Sequence, residues 1–164
     1  MHIPAEAVRT QYQSPLGLIH LLVLKHHLVG VWFDGQAHQP DLSRTPVTEG
    51  SPIANDTARQ LTEYFAGHRQ SFELPTKLIF GTPFQHQVWR LLSRLAFGDC
   101  CSYRDIALQL GKPLAARAVG AAVGRNPLSL IIPCHRVLSA KGKLTGYAGG
   151  LERKAALLLL EGVV

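Results

Sequence analysis

The apolar residues Leu128, Leu130, Ile131 and Ile132 demand burial, and they lead without a break into Pro133-Cys134-His135-Arg136-Val137. A chain that buries this run must take a thiol, an imidazole and a guanidinium in with it, which is a poor way to build a core. Pro133 fixes its own φ and biases Ile132 toward extended geometry, so Cys134 is expected on rigid backbone. Neighbours on extended chain point apart, so His135 is expected to reach the sulfur through a bridging water. Cations beside a thiol favour the thiolate, which is otherwise scarce near neutrality given a free pKa of about 8.5. Two readings follow: an activated nucleophile, or an inert cysteine packed beside an apolar run.

With 164 residues, 46% of them apolar, the chain is long enough to bury a core without staples. Its three cysteines, two of them vicinal at Cys100 and Cys101, make no even disulfide framework, so a reducing compartment is expected. No apolar stretch approaches membrane-spanning length, and Met1-His2-Ile3-Pro4 does not open a signal peptide. The expectation is a cytoplasmic protein, nuclear in a eukaryotic source, with no membrane partner. Charge is split unevenly: residues 1–80 stand at −1 and residues 81–164 at +7. A polyanion would bind the second half.

Residues 1–75 read as a small α+β unit. The turn Ser14-Pro15-Leu16-Gly17, the apolar stretches Leu16 to Leu24 and Leu28 to Phe33, and a turn at Lys25-His26-His27 predict a hairpin. Asp34 to Ser51 is polar and reads as loop. Ala58, Leu61, Tyr64 and Phe65 share a helical face that closes at Gly67, and Phe72 with Leu74 suggests a short strand before Pro75. His26 and His27 have no suitably spaced metal-ligand partners, and no chemistry is legible in this half.

Residues 76–81 read as a linker, and 82–164 as a second unit. Thr82-Pro83-Phe84-Gln85 combines an N-cap, a first-turn proline and a capping-box glutamine, with a stripe through Val88, Leu91, Leu92 and Leu95 to Gly98. Ser102 opens another helix through Leu110, with Asp105 as capping-box acid. After Gly111-Lys112-Pro113 a third helix runs from Leu114 to Gly124. The last two helices and their glycine-containing turn form a helix-turn-helix signature. Ala115, Ala116 and Ala118 offer nothing to base edges but permit close approach to a narrow groove or a packed helix, and Arg117 is one long cation among them. Lys141-Gly142-Lys143 reads as the tip of a basic β-ribbon, and Tyr147-Ala148-Gly149-Gly150 supplies an aromatic face and exposed amides. Asn126 suits a turn or a polar brace. The final helix, Glu152 to Glu161, is apolar along Ala155, Leu158 and Leu159, and its terminal acid opposes the helix dipole.

From Gly81 to Gly162 the chain resembles the O6-alkylguanine-DNA alkyltransferases, also called methylated-DNA–protein-cysteine methyltransferases. The resemblance rests on Pro133-Cys134-His135-Arg136-Val137, supported by Ser102-Tyr103, Ala115-Ala116-Arg117-Ala118-Val119-Gly120, Asn126-Pro127, Gly146-Tyr147, Gly149-Gly150 and Glu161. The first half resembles the family's N-terminal domain loosely, through Ser14-Pro15-Leu16-Gly17 and Tyr64-Phe65-Ala66-Gly67. The implied fold is α+β: a small N-terminal antiparallel sheet with a helix, ribonuclease-H-like, then a mainly helical winged helix-turn-helix domain.

The resemblance also implies a reaction. O6-alkylguanine, with O4-alkylthymine as a further substrate, would be flipped from double-stranded DNA bound through its minor groove. Cys134 would accept the alkyl group, His135 would draw its proton through water, and Glu161 would stabilise the imidazolium. Tyr103 would donate to the departing guanine, and Asn126 would brace the active-site turn. Val123 and Tyr147 would wall the pocket, amides near Ala148 and Gly149 would meet O6, and carbonyls of Cys134 and Val137 would meet the exocyclic amine. Arg117 would fill the gap in the stack, with Ala115, Ala116, Ala118, Lys141 and Lys143 along the DNA. A thioether offers water no activated carbon, so a monomer would react once, with no metal or cofactor. Three other classes stay open: a damage-recognition protein without transfer, a redox-sensing winged-helix regulator, and a cysteine hydrolase.

Overall fold

The computed structural model describes residues 1–164. Three antiparallel strands, β1 (Val8–Ser14), β2 (Gly17–Leu24) and β3 (His27–Phe33), form a meander in chain order. The expected hairpin is thus a three-stranded sheet; β1, written Val-Arg-Thr-Gln-Tyr-Gln-Ser, is an edge strand whose polar residues hid it. β2 and β3 read as near-continuous apolar runs because both sheet faces are covered. Ile19, Leu21, Val31 and Phe33 enter the main core, while Leu22, Val29 and Trp32 join a smaller cluster with Leu42 and Phe80. An irregularity in the β2/β3 register at Leu22/Val23 leaves Val29 unpaired between partners Gly30 and Leu28, a bulge of the kind that bends a strand.

Helix α1 (Pro52–Phe65) starts on a Ser51 cap and buries Ala54, Thr57, Leu61 and Tyr64. No strand forms at Phe72 and Leu74. Pairing comes instead around Pro75, whose carbonyl accepts from Leu28 N, with Lys77 N returning to Leu28 O at 3.1 Å. The far edge of β3 also receives the second half of the chain: Val31 N donates to Pro127 O at 2.8 Å, and Ser129 N to Val31 O at 3.0 Å. The apolar segment that leads to Cys134 is therefore hydrogen-bonded to the sheet, and one core of 23 buried residues draws on both halves.

Helix α2 (Pro83–Leu92) carries the full capping box between Thr82 and Gln85, and ends at Leu92, earlier than its apolar stripe suggests. Strand β4 (Cys101–Ser102) precedes helix α3 (Tyr103–Gln109), whose Ser102/Asp105 capping box is complete. Helix α4 (Ala116–Gly124) starts without a side-chain cap, and packing substitutes for it: Val119, Ala122 and Val123 are buried and Trp89 Nε1 donates to Ala122 O at 2.8 Å.

Two further expectations are corrected. The basic β-ribbon is absent: β5 (Val137–Leu138) is two residues long and parallel to β4, and Lys141-Gly142-Lys143 forms a tight turn closed on Ser139. Gly142, at φ 72°, suits that turn better than a ribbon. Helix α5 (Leu151–Leu160) leaves Leu159 65% exposed and buries Lys154 completely. No helix is long and apolar enough to cross a membrane.

Candidate active site

Two tight reversals carry the chain from the sheet to Cys134. Leu130 holds φ 71° while Ile131 N bonds Ser129 O at 2.9 Å, and Cys134 N bonds Ile132 O at 2.8 Å around Pro133. Positive φ costs a branched residue about 1 kcal/mol or more, so the surroundings must hold it. Asn126 supplies that hold, accepting from Leu128 N at 2.9 Å and donating to Ile132 O at 2.8 Å. It spans the base of the loop like a strut.

Cys134, His135 and Arg136 form a single 3-10 turn instead of extended chain, and all three are buried. His135 Nε2 meets Glu161 Oε1 at 2.8 Å. Arg136 clamps the same carboxylate with both arms, Nε to Oε2 and Nη2 to Oε1, each at 2.8 Å, and the Tyr64 hydroxyl donates to Oε1 at 2.8 Å. Gly98 N adds a longer contact to Oε2. The misplaced helix-end acid is thus the hub of a buried network. Although burial opposes its charge, His135, Arg136 and Tyr64 together hold the Glu161 carboxyl far below the usual range. Burial lowers the His135 pKa despite the carboxylate beside it, so the resting imidazole is neutral. With its proton on Nε2 facing Glu161, Nδ1 carries the lone pair, and Nδ1 is buried with no partner in the protein.

The thiol departs from expectation. Burial raises the Cys134 pKa, with the Asn126 side chain and Lys154 opposing, so the resting group is a thiol awaiting a base rather than a standing thiolate. Lys154 was not singled out from sequence, yet its ammonium donates to the carbonyls of Val137 at 2.5 Å, Thr145 at 3.0 Å and Gly146 at 3.2 Å. It ties the turn after the nucleophile to the segment before Tyr147, and its pKa is lowered by burial. A lysine within an apolar helical stripe was the available signal.

A cleft of about 250 Å³ opens beside this centre, lined by Tyr103, Val123, Gly124, Tyr147 and Ala148 together with Ala37 and His38 from the first half. Cys134 is 4% exposed and does not line the cleft; its thiol lies close to the Tyr147 side chain of the cleft wall. The Tyr147 hydroxyl is buried without a hydrogen-bond partner. Tyr103 reaches across the cleft to donate to Thr145 O at 3.1 Å. The amides of Ala148 and Gly149 bond no protein acceptor, whereas Ala148 O takes a bond from Ala37 N at 2.9 Å. Val137 stands apart from the cleft, fully buried with its carbonyl on Lys154, and the Cys134 carbonyl accepts from Val137 N. Gly149 is buried against Tyr147 and Phe33, where a side chain would collide with the Tyr147 ring. A larger groove of about 410 Å³ beside Phe72, Phe97 and Arg136 is lined by no thiol and no histidine.

Arg117 and Ala118 are exposed near the start of α4, Ala115 and Ala116 are half-buried, and Lys141 and Lys143 are exposed on the turn. Cys100 and Cys101 are half-buried; burial pushes both thiols up, Cys101 to about 11. His135, Glu161, Cys134 and Asn126 converge, Tyr103, Val123, Tyr147 and Ala148 surround the cleft, and Lys141 and Lys143 lie apart from both. The first half, in which no chemistry was legible, supplies Tyr64, Ala37 and His38.

Comparison with known proteins places both halves. Residues 7–78 match the ribonuclease-like domain of 6-O-methylguanine DNA methyltransferase, and residues 83–163 its DNA binding domain. A methylated-DNA–protein-cysteine methyltransferase of Methanosarcina acetivorans is 49% identical over 152 residues, covering 92% of this chain and 96% of its own. One from Mycolicibacterium paratuberculosis is 45% identical over 148 residues, 90% of this chain and 88% of its own. The crystal structure of Mycobacterium tuberculosis OGT in complex with DNA superposes with a TM-score of 0.87 at 40% identity, over 93% of this chain and 91% of that one. Motifs, fold and relatives agree across nearly the whole length, and the chain belongs to the 6-O-methylguanine DNA methyltransferase family.

Proposed function

We propose that the protein repairs alkylated DNA by drawing O6-alkylguanine, and O4-alkylthymine, out of the duplex and transferring the alkyl group once to Cys134. The observation that carries this reading is the free, buried Nδ1 of a His135 whose other nitrogen is fixed on Glu161. A thiol and a base occupy one turn, with the base oriented by a third group. DNA is the partner: the second half carries the +7 charge and matches a DNA binding domain, and a relative is seen bound to DNA. Arg117, with Ala115, Ala116 and Ala118 around it, forms the surface that enters the minor groove and replaces the extruded base, and Lys141 and Lys143 add phosphate contacts.

The base enters between Tyr147 and Val123, with O6 toward the free amides of Ala148 and Gly149. The Cys134 proton passes through a water to His135 Nδ1, and Glu161 stabilises the imidazolium that forms. Sulfur attacks the alkyl carbon, the S–C bond forms as C–O6 breaks, and the electron pair stays on the guanine, which takes a proton from the Tyr103 hydroxyl or from solvent. Asn126 keeps the loop in place, and Lys154 holds the Val137 carbonyl at the turn that follows the nucleophile. The product thioether is inert to water, so each molecule reacts once. Residues 1–75 and 82–164 act as two units joined at 76–81, and three free cysteines suit a monomer in a reducing cytoplasm.

Intact mass spectrometry after incubation with O6-methylguanine duplex tests this. One methylene is expected on the Cys134 peptide and no further reaction after one equivalent; repeated turnover, or modification at Cys100 or Cys101 instead, would exclude it.

A further inference from the structure

We propose that Tyr64, on α1 in the first half, is a positioning residue for alkyl transfer: its hydroxyl takes up part of the Glu161 charge so that His135 rests neutral, with Nδ1 open to a proton. This rests on the reading of Cys134 as alkyl acceptor. Tyr64 is 1% exposed, and its ring is packed against Phe65 and Phe72 at 5.4 Å and Phe97 at 6.2 Å between centroids. That packing needs only a phenyl ring. The hydroxyl spends its one proton on Glu161 Oε1, 97 residues away in sequence. Burial pushes the phenol far up, so it stays a donor at any working pH.

Oε1 is where the competition lies. It accepts from Tyr64, His135 Nε2 and Arg136 Nη2, three donors on an oxygen with two lone pairs. The other ionisable groups acting on this pair are Lys154 from α5, which disfavours a second positive charge on His135, and the thiols of Cys134 and Cys100, which are neutral at rest. Arg136 already matches the formal charge of Glu161. What remains for the imidazole depends on how much of Oε1 the tyrosine occupies. Removing the hydroxyl leaves a stronger acceptor facing Nε2–H, which favours the imidazolium and raises the pH at which His135 becomes a base.

The test uses the full chain and free O6-benzylguanine, so that DNA binding does not enter, with Cys134 alkylation rates followed from about pH 5 to about pH 9, either side of the imidazole range. Tyr64→Phe should move the acid limb of the profile upward by about half a pH unit, the scale of one charge-assisted hydrogen bond shared among several donors. Site-specific 3,5-difluorotyrosine at position 64, a stronger donor, should move it downward. A Tyr64→Phe limb superimposable on the wild type, or displaced downward, overturns the proposal. Should Tyr64→Phe not fold, the difluorotyrosine protein decides alone, and an unmoved limb there is equally fatal. Failure of the wild-type protein to be alkylated would instead reject the reading of Cys134.

Discussion

Lys154 shows how much one side chain can carry. Three carbonyls on the two segments that shape the cleft share its ammonium, and it is a cation acting on the buried thiol. Lys154→Met preserves the stem while removing both roles. Alkylation by a free O6-substituted guanine should slow by about tenfold, equivalent to about 1.4 kcal/mol. Cys134 reactivity toward iodoacetamide should shift to higher pH, because the thiolate loses a nearby positive charge. Unchanged reactivity across pH would leave Lys154 only its cross-linking role. Glu161 is a blunter probe, since Glu161→Gln would strand the Arg136 guanidinium in the interior as well as release His135, and a buried unpaired charge costs about 3 kcal/mol or more.

Among the elements, α4 divides its labour by face. Val119, Ala122 and Val123 are buried, with the Ala122 carbonyl held by Trp89, while Arg117 and Ala118 face outward with no ion pair to hold the guanidinium. Small residues around one free cation suit insertion into a base stack, where unstacking costs a few kcal/mol that an inserted side chain offsets. Arg117→Ala should therefore slow repair of duplex oligonucleotide by about tenfold more than alkylation by a free base, compared by single-turnover rates on the two substrates. Equal losses on both would make Arg117 a structural residue.

For the molecule as a whole, pH acts through the same buried cluster. The His135 pKa is depressed in the fold, so the unfolded chain binds more protons as pH falls through 6.5, and the Glu161 pKa is depressed as well, with the same sign below 4.5. Stability should be fully present above neutrality, decline as the unfolded chain protonates His135, and fall more steeply below 4.5, where unfolding lets Glu161 take up a proton as well. Thermal melts at stepped pH check this, and His135→Gln should flatten the first stage. Part of this architecture was legible in sequence: both capping boxes and the two short helices flanking a glycine-containing turn are local signals, set by residues a few positions apart, whereas the 3-10 turn at Cys134 was read as extended chain. What escaped was long-range. The strand Val8–Ser14 is too polar to stand out, the Lys154 stem reads like any amphipathic lysine, and nothing near Tyr64 announces a partner 97 residues on. Those facts exist only once the sheet has docked against Pro127 and Ser129.

The convergence of α1, the Cys134 turn and the end of α5 on one carboxylate has a consequence for how such a protein can change. Cohesion between the halves and readiness to react draw on the same few oxygen and nitrogen atoms. Substitutions that loosen that junction will register as lost reactivity while the fold still stands, and selection for repair will thereby police packing far from any DNA. Activity becomes the more sensitive gauge of assembly.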